Sequence, residues 1–279
     1  MKKIFCSLFI CLATCCYGKV TIYSHYYNRP DFIQIQKETF EKFMQNEFEL
    51  IIFEDSHKAA ISKEIKEECK RLGLQYIRVP NWVFERPYLP LPRRCQKSNA
   101  SVQCSNANQY IYDTYIKPSS GIFMMIDNDA FMIQETDIEE IMQDHSLAGI
   151  PQKRSNKNIT INYFCTALML FNMDTLPAKD QINFNLGFVD GVFTDCGGKM
   201  HHYFQKNPDV KFFPVSVSYP SKTEEDPDFH FIGQTWDMEF FLNKSFLHYR
   251  AGSNWYHKSN YNQKLADFKE SMRSHLNEE

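Results

Sequence analysis

The sequence predicts an α/β domain with a parallel sheet covered by helices on both faces. Three observations carry that expectation. Between Lys19 and Val79, apolar runs of strand length alternate with segments whose apolar residues recur at helical spacing, a β-α-β-α-β order. The run Gly121 to Ile126 (GIFMMI) is almost continuously apolar, as a strand buried on both faces requires. No linker separates two halves, and 279 residues suffice for one large domain.

Composition narrows the function classes. Hydrophobic residues make up 43% and charged residues 23%, which excludes a disordered chain. The net charge of -3 offers no basic excess, so a nucleic-acid partner is not expected. Aromatic residues reach 15%, enough for a tightly packed core and also for a site that stacks flat rings or sugars.

The first segment reads as an address. Met1-Lys2-Lys3 is a short positive region, and Ile4 to Tyr17 carries no charge. Cys16 and Gly18 fit a signal-peptidase site, so residues 1–18 are expected to be a secretory signal and 19–279 the mature chain. The run is short for a membrane span and no second one follows, so the mature chain is expected to hold no stable membrane span. Leu12-Ala13-Thr14-Cys15 approaches a bacterial lipobox, but Thr14 is wrong before the cysteine, which leaves lipidation the weaker alternative. Export would deliver the protein to the medium, a periplasm or a secretory lumen.

Five cysteines lie beyond that segment: Cys69, Cys95, Cys104, Cys165 and Cys196. An odd number makes no disulfide framework. Cys95 and Cys104 lie in a loop-like stretch and are placed to pair in an oxidising compartment. Cys69 and Cys165 sit in apolar patterns and read as core thiols. The absence of a CxxC pair argues against structural zinc.

Along the chain, Lys19 to Ser24 reads as a strand. Pro30 suits the first turn of a helix whose face carries Ile33, Phe40, Phe43 and Met44. Phe48 to Phe53 is the next strand. Ile61, Ile65, Cys69 and Leu72 then keep helical spacing up to Gly73, a C-cap residue. Leu74 to Val79 is a third strand. Residues 80–106 break the rhythm with four prolines and read as a loop insertion. Ala107 to Ile116 looks helical, and the Gly121 to Ile126 strand follows. Leu147 to Ile150 and Phe164 to Phe171 are further strands. The rest is less regular: a helix from about Gly198, short strands near Lys211 to Val217 and Phe229 to Ile232, and a charged helix from about Gln263.

Asp127 and Asp129 stand where the most apolar strand ends, the place where open α/β sheets bind ligands. Two carboxylates one residue apart on a chain leaving a strand can reach one hard cation, Mg²⁺ or Mn²⁺. A bare Asp-x-Asp is also an ordinary polar turn; its position gives it weight. His248 is a candidate third ligand or an ordinary half-buried histidine, with Gly252 allowing close backbone approach and Arg250 and Lys258 available to phosphate. Asp195, in the turn Thr194-Asp195-Cys196-Gly197-Gly198, is either a base or grip for a sugar hydroxyl or a helix cap. Asp55 and Asn108 are placed to meet a nucleotide base or ribose, or are caps or surface residues. His201 and His202, adjacent on a helix, point in different directions and read as surface or support. No GxSxG, P-loop, HExxH or GxGxxG occurs, so a catalytic Ser or Cys is not indicated.

Together these residues resemble a nucleotide-sugar glycosyltransferase of the GT-A fold, over roughly Lys19 to Lys258. The segment His248 to Trp255 is similar to the His-Phe-x-Gly-x-x-Lys-Pro-Trp ending of glycosyltransferase family 8. Here Gly252 lies one residue further from the histidine, and Asn254-Trp255 replaces Lys-Pro-Trp. The resemblance implies a Rossmann-like, mixed, mainly parallel sheet in a single domain. It implies metal binding by Asp127, Asp129 and His248, with Asn128 inside the motif. It implies nucleotide contacts from Ser24, His25 and Tyr26 at the end of the first strand. The expected activity is metal-dependent transfer of a sugar from a nucleotide-diphosphate donor to a glycan, lipid or protein acceptor. The alternative is a secreted carbohydrate- or partner-binding protein on a degenerate GT-A scaffold.

Overall fold

The computed structural model describes residues 18–85, 100–220, 225, 238–250 and 261–278. The proposed signal segment therefore lies almost wholly outside the described residues. So do Cys95, Gly252, Lys258 and the strand expected near 229–232.

A seven-stranded sheet forms the centre, in the order β10-β6-β7-β4-β1-β2-β3. Its strands are β1 (Val20–Tyr26), β2 (Phe48–Glu54), β3 (Gln75–Arg78), β4 (Ile122–Asp127), β6 (Leu147–Ser155), β7 (Thr160–Asn172) and β10 (Phe212–Pro214). The β1–β2, β1–β4, β2–β3 and β6–β10 pairings are parallel. β7 runs antiparallel to both β4 and β6. The sheet is thus mixed and mainly parallel. The antiparallel pair arises because β6 and β7 are joined by the exposed turn around Asn156, which returns the chain directly and needs no crossover helix.

Period-two alternation splits each central strand between two cores. Val20, Ile22 and Tyr26 of β1 face one side, with Met124 and Ile126 of β4. Tyr23, Phe123 and Met125 face the other. Helices α1 (Ile33–Phe43) and α2 (Ala59–Leu72) cover the first face through Ile33, Ile35, Phe40, Ile65 and Cys69. Gly73 ends α2 in the left-handed region, φ 68°, where a Cβ is disfavoured. Helices α3 (Ala100–Ile111) and α5 (Met200–Lys206) cover the second face through Ala107, Ile111, Met200 and Tyr203. A short α4 (Ile138–Met142) is capped by the Asp137 carboxylate, which accepts from the Glu140 N–H. The C-terminal α6 (Tyr261–Asn277) is charged, yet it inserts Phe268 and Met272 against the first face. Phe268 meets Phe32, Phe131 and Tyr249 at ring-centroid distances of 5.3, 5.0 and 4.6 Å.

A second, four-stranded sheet has the order β11-β12-β13-β5, from β11 (Val217–Ser218), β12 (Met238–Phe241), β13 (Phe246–Tyr249) and β5 (Ala130–Met132). β8 (Gly187–Val189) and β9 (Val192–Thr194) form a separate hairpin. No described helix is long and apolar enough to cross a membrane.

The loop expected at 80–106 is corrected at both ends. Asn81–Glu85 forms a 3-10 turn that buries Val83 and Phe84. α3 begins at Ala100, not Ala107. Its buried face carries Gln103, Ser105, Asn106 and Asn108, so apolar periodicity could not reveal it. After Ile111 the helix passes into a π turn through Ile116.

Candidate metal and donor site

The site forms where the two sheets meet. β4 ends at Asp127, the chain turns through Asn128 and Asp129, and β5 leaves into the second sheet. β13 pairs with β5 so that His248 stands opposite Ala130, and the Tyr249 N–H donates to the Asp129 carbonyl at 2.8 Å. One ligand atom each from Asp127, Asp129 and His248 lie within 4.8 Å of one another. A contact more than a hundred residues away in sequence is thereby made by ordinary strand pairing.

The electrostatics favour a cation there. Burial, then the neighbouring Asp129, push the Asp127 carboxyl up to about 6. Burial disfavours charge on His248, but hydrogen bonds to Asp129 and Glu239 outweigh it and raise the imidazole to about 10. Its Nε2 lies 3.4 Å from Asp129 Oδ1, and its Nδ1 lies 2.8 Å from Glu239 Oε1. Phe241 lies against the ring, centroids 5.0 Å apart. Two carboxylates and an imidazole backed by a third carboxylate are a fitting donor set for Mn²⁺ or Mg²⁺.

Gln36 of α1 holds the turn from below. Its amide donates to the Asp127 and Ala130 carbonyls at 3.1 and 2.8 Å, and its oxygen accepts from the Tyr26 hydroxyl at 3.0 Å. The Tyr26 side chain is fully buried in the core and braces Gln36, which leaves its backbone at the strand end for any nucleotide contact. Ser24 is also fully buried. His25 faces the site. It stands beside Asp127 in the β1–β4 register, and its Nε2 lies 2.9 Å from Asp55 Oδ2. Burial lowers its basicity, but Asp55 and Asp127 together raise it above the usual value. Asp55 Oδ1 is buried without a hydrogen-bond partner among the described residues.

Asn108 is buried on α3, its amide donating to Cys104 Sγ at 3.4 Å. Asn128 is buried within the turn. Arg250, at the end of β13, is exposed and lies 3.8 Å from Glu239 Oε2. Asp195 accepts from the Cys196 N–H at 2.8 Å; α5 starts later, after Lys199, so Asp195 is no helix cap. His201 is a support, accepting from the Asn162 N–H at 3.3 Å. Gly197 and Gly198 are required by packing: a Cβ on Gly198 would lie 1.8 Å from Thr194 Oγ1.

Three elements were not anticipated. Glu239 and Gln36 act from behind the ligands, and neither sits in a recognisable motif. The third is a cavity of about 480 Å³ lined by His57, Arg78, Asn81, Phe84 and Glu85. His57 meets Tyr27 and Phe84 edge-on at 5.8 and 5.5 Å. Phe84 lies in the stretch read as loop, which hid it.

No family model and no curated protein matches the sequence. Solved structures do match. The galactosyltransferase LgtC, in complex with donor and acceptor sugar analogs, is 12% identical with a TM-score of 0.51, over 91% of this chain and 95% of that one. The mannosyltransferase Ktr4p of S. cerevisiae is 10% identical with a TM-score of 0.40, over 59% of each chain. The bifunctional glycosyltransferase WbbM is 9% identical with a TM-score of 0.39, over 58% of this chain; the chain spans a third of its length, 33%. By its topology and its likeness to LgtC along nearly the whole chain, this protein has the GT-A fold of nucleotide-sugar glycosyltransferases.

Proposed function

We propose that the protein is a metal-dependent glycosyltransferase moving a sugar from a nucleotide-diphosphate donor to a glycan, lipid or protein acceptor. The observation that carries this reading is the convergence of Asp127, Asp129 and His248 at the junction of the two sheets. LgtC, whose fold is similar, was solved with donor and acceptor sugar analogs, which supports a sugar-donor role for this fold.

Asp127, Asp129 and the Nε2 of His248 would hold Mn²⁺ or Mg²⁺, with Glu239 fixing the imidazole. When bound, the cation neutralises the donor diphosphate and stabilises charge on the departing nucleotide. Asp55 Oδ1 is a buried acceptor in search of a donor hydrogen, as a base or ribose hydroxyl offers. Tyr27, His57 and Phe84 give that nucleoside aromatic walls. Asp195 serves the acceptor, orienting a hydroxyl or taking its proton, and Arg250 adds positive charge near the phosphates. Gly252 and Lys258 retain the phosphate-side roles read from the sequence. Export through residues 1–18 completes the proposal; an amino terminus at Lys19 on the exported protein would support it.

The test is a thermal-shift panel of UDP, GDP and their sugar conjugates, with and without Mn²⁺. One nucleotide at a hundredfold excess over its dissociation constant should add about 2.7 kcal/mol of stability, only with Mn²⁺ and only while Asp129 is intact. A well-folded chain that ignores every nucleotide would overturn the transferase reading and favour a binding protein on the same scaffold.

A further inference from the structure

Cys104 on α3 and Cys196 in the turn before α5 are 92 residues apart in sequence, yet their Sγ atoms lie 3.6 Å apart. Thr166 Oγ1 touches both, at 3.3 Å from Cys196 Sγ and 3.7 Å from Cys104 Sγ. This is the one contact between two cysteine sulfurs among the described residues. The glycosyltransferase reading uses neither thiol. We propose that Cys104 and Cys196 are a disulfide-forming pair that staples α3 to the turn carrying Asp195. The pairing expected from sequence, Cys95 with Cys104, is thereby replaced.

The geometry is close to what the bond needs. Two sulfurs in contact must approach by about 1.6 Å to reach bonding distance. Besides Thr166, the Cys104 sulfur accepts from the Asn108 amide at 3.4 Å and the Cys196 sulfur has the Ser105 hydroxyl beside it, contacts that sulfur makes only weakly. The chemistry balances as a thiol–disulfide exchange with a small-molecule or protein disulfide as oxidant. One cysteine thiolate attacks an oxidant sulfur, forming a mixed disulfide and releasing one oxidant thiolate. The second cysteine thiolate attacks the cysteine sulfur of that mixed disulfide, forming the Cys104–Cys196 bond and releasing the other oxidant thiolate. The two protons leave with the two released thiols, and two electrons pass to the oxidant.

The link joins distant parts of the chain. It closes a loop of about 90 residues, a span for which cross-linking restricts the unfolded chain strongly. It also ties together the elements that carry Asn108 and Asp195.

The experiment is peptide mapping of the wild-type chain. The protein is equilibrated in oxidised and reduced glutathione, quenched in acid, alkylated with N-ethylmaleimide and digested. The expected product in oxidising buffer is about 2 Da lighter, with one linked peptide pair joining Cys104 to Cys196. Reduction of that form should lower the melting temperature by about 5–10 °C. Full alkylation of both thiols in every buffer overturns the proposal, and so does a linkage of Cys104 to Cys95. A link whose reduction leaves the melting temperature unchanged overturns the staple. The mapping needs no variant that must fold. Its outcome is also separate from nucleotide binding: a chain with the link and no nucleotide response keeps this inference and loses the transferase reading, and the converse holds.

Discussion

Glu239 and His248 face one another across the β12–β13 pairing, with the carboxylate Oε1 2.8 Å from the imidazole Nδ1. The carboxylate accepts the Nδ1 proton, which leaves Nε2 turned toward Asp129 at 3.4 Å. A carboxylate behind a ligating histidine fixes its tautomer and raises its basicity. Glu239→Gln should therefore weaken Mn²⁺ binding by about 10–100-fold without altering the fold. Titration of free Mn²⁺ by electron paramagnetic resonance measures it, and an unchanged affinity would remove Glu239 from the site.

Metal binding should be strongly pH-dependent. In the metal-free protein His248 sits at about 10, so it is protonated at neutral pH and must lose that proton to serve as a ligand. Asp127, at about 6, is already ionised above that pH. Calorimetry at pH 8 in buffers of different ionisation enthalpy should record release of about one proton per Mn²⁺. Affinity should tighten by up to about tenfold per pH unit from pH 7 toward 9. An affinity flat across that range would mean that His248 is not a ligand.

The same shifts set the stability of the metal-free chain. The Asp127 carboxyl is raised above its unfolded value, so its contribution is fullest below about pH 4 and is lost as pH rises through about 6. The raised His248 contributes fully below about pH 6.5 and is lost as pH rises through about 10. Asp127→Asn should accordingly raise the metal-free melting temperature at pH 7.5 relative to wild type, while abolishing the Mn²⁺-induced rise. Differential scanning calorimetry with and without chelator separates the two effects.

Gln36 makes three side-chain hydrogen bonds beneath the Asp127–Asp129 turn, two of them buried. Replacing it with Leu leaves two carbonyls and a tyrosine hydroxyl without that partner. The expected loss is about 2–4 kcal/mol in urea unfolding, together with weaker Mn²⁺ binding, because the carboxylates lose their support. A loss of stability with unchanged metal affinity would make Gln36 purely structural.

Gly197 and Gly198 admit no side chain. At Gly197, φ is 87° and a Cβ would lie 2.4 Å from the Phe164 carbonyl oxygen. At Gly198 the Cβ would overlap Thr194, which donates to the Gly187 carbonyl and holds the β8–β9 hairpin. Alanine at either position should destabilise by about 2 kcal/mol or more. At Gly191, where nothing lies within 4 Å, only the backbone conformation opposes alanine, and the loss should be smaller.

The sequence by itself determined the first β-α-β-α-β half of the fold and the first two candidate ligands. α1 and α2 were legible because each buries one face at helical spacing, and β1, β2 and β3 because they are strand-length, apolar-rich runs between them. Asp127 and Asp129 were legible because an almost wholly apolar strand ends on them. Tertiary structure alone decided the rest. α3 buries a polar face, so its start at Ala100 left no periodic trace. β5, β12 and β13 are three or four residues long, too short for a pattern, yet their pairing delivers His248 to the carboxylates. The side chain of Tyr26 is a brace for Gln36, because the alternation of β1 sends it into the core. The contact of Cys104 with Cys196 and the hold of Glu239 on His248 depend on which strands and helices become neighbours. Local sequence dictates the hydrogen bonding and burial of each segment. The meeting of distant segments is set by the packing of the whole chain.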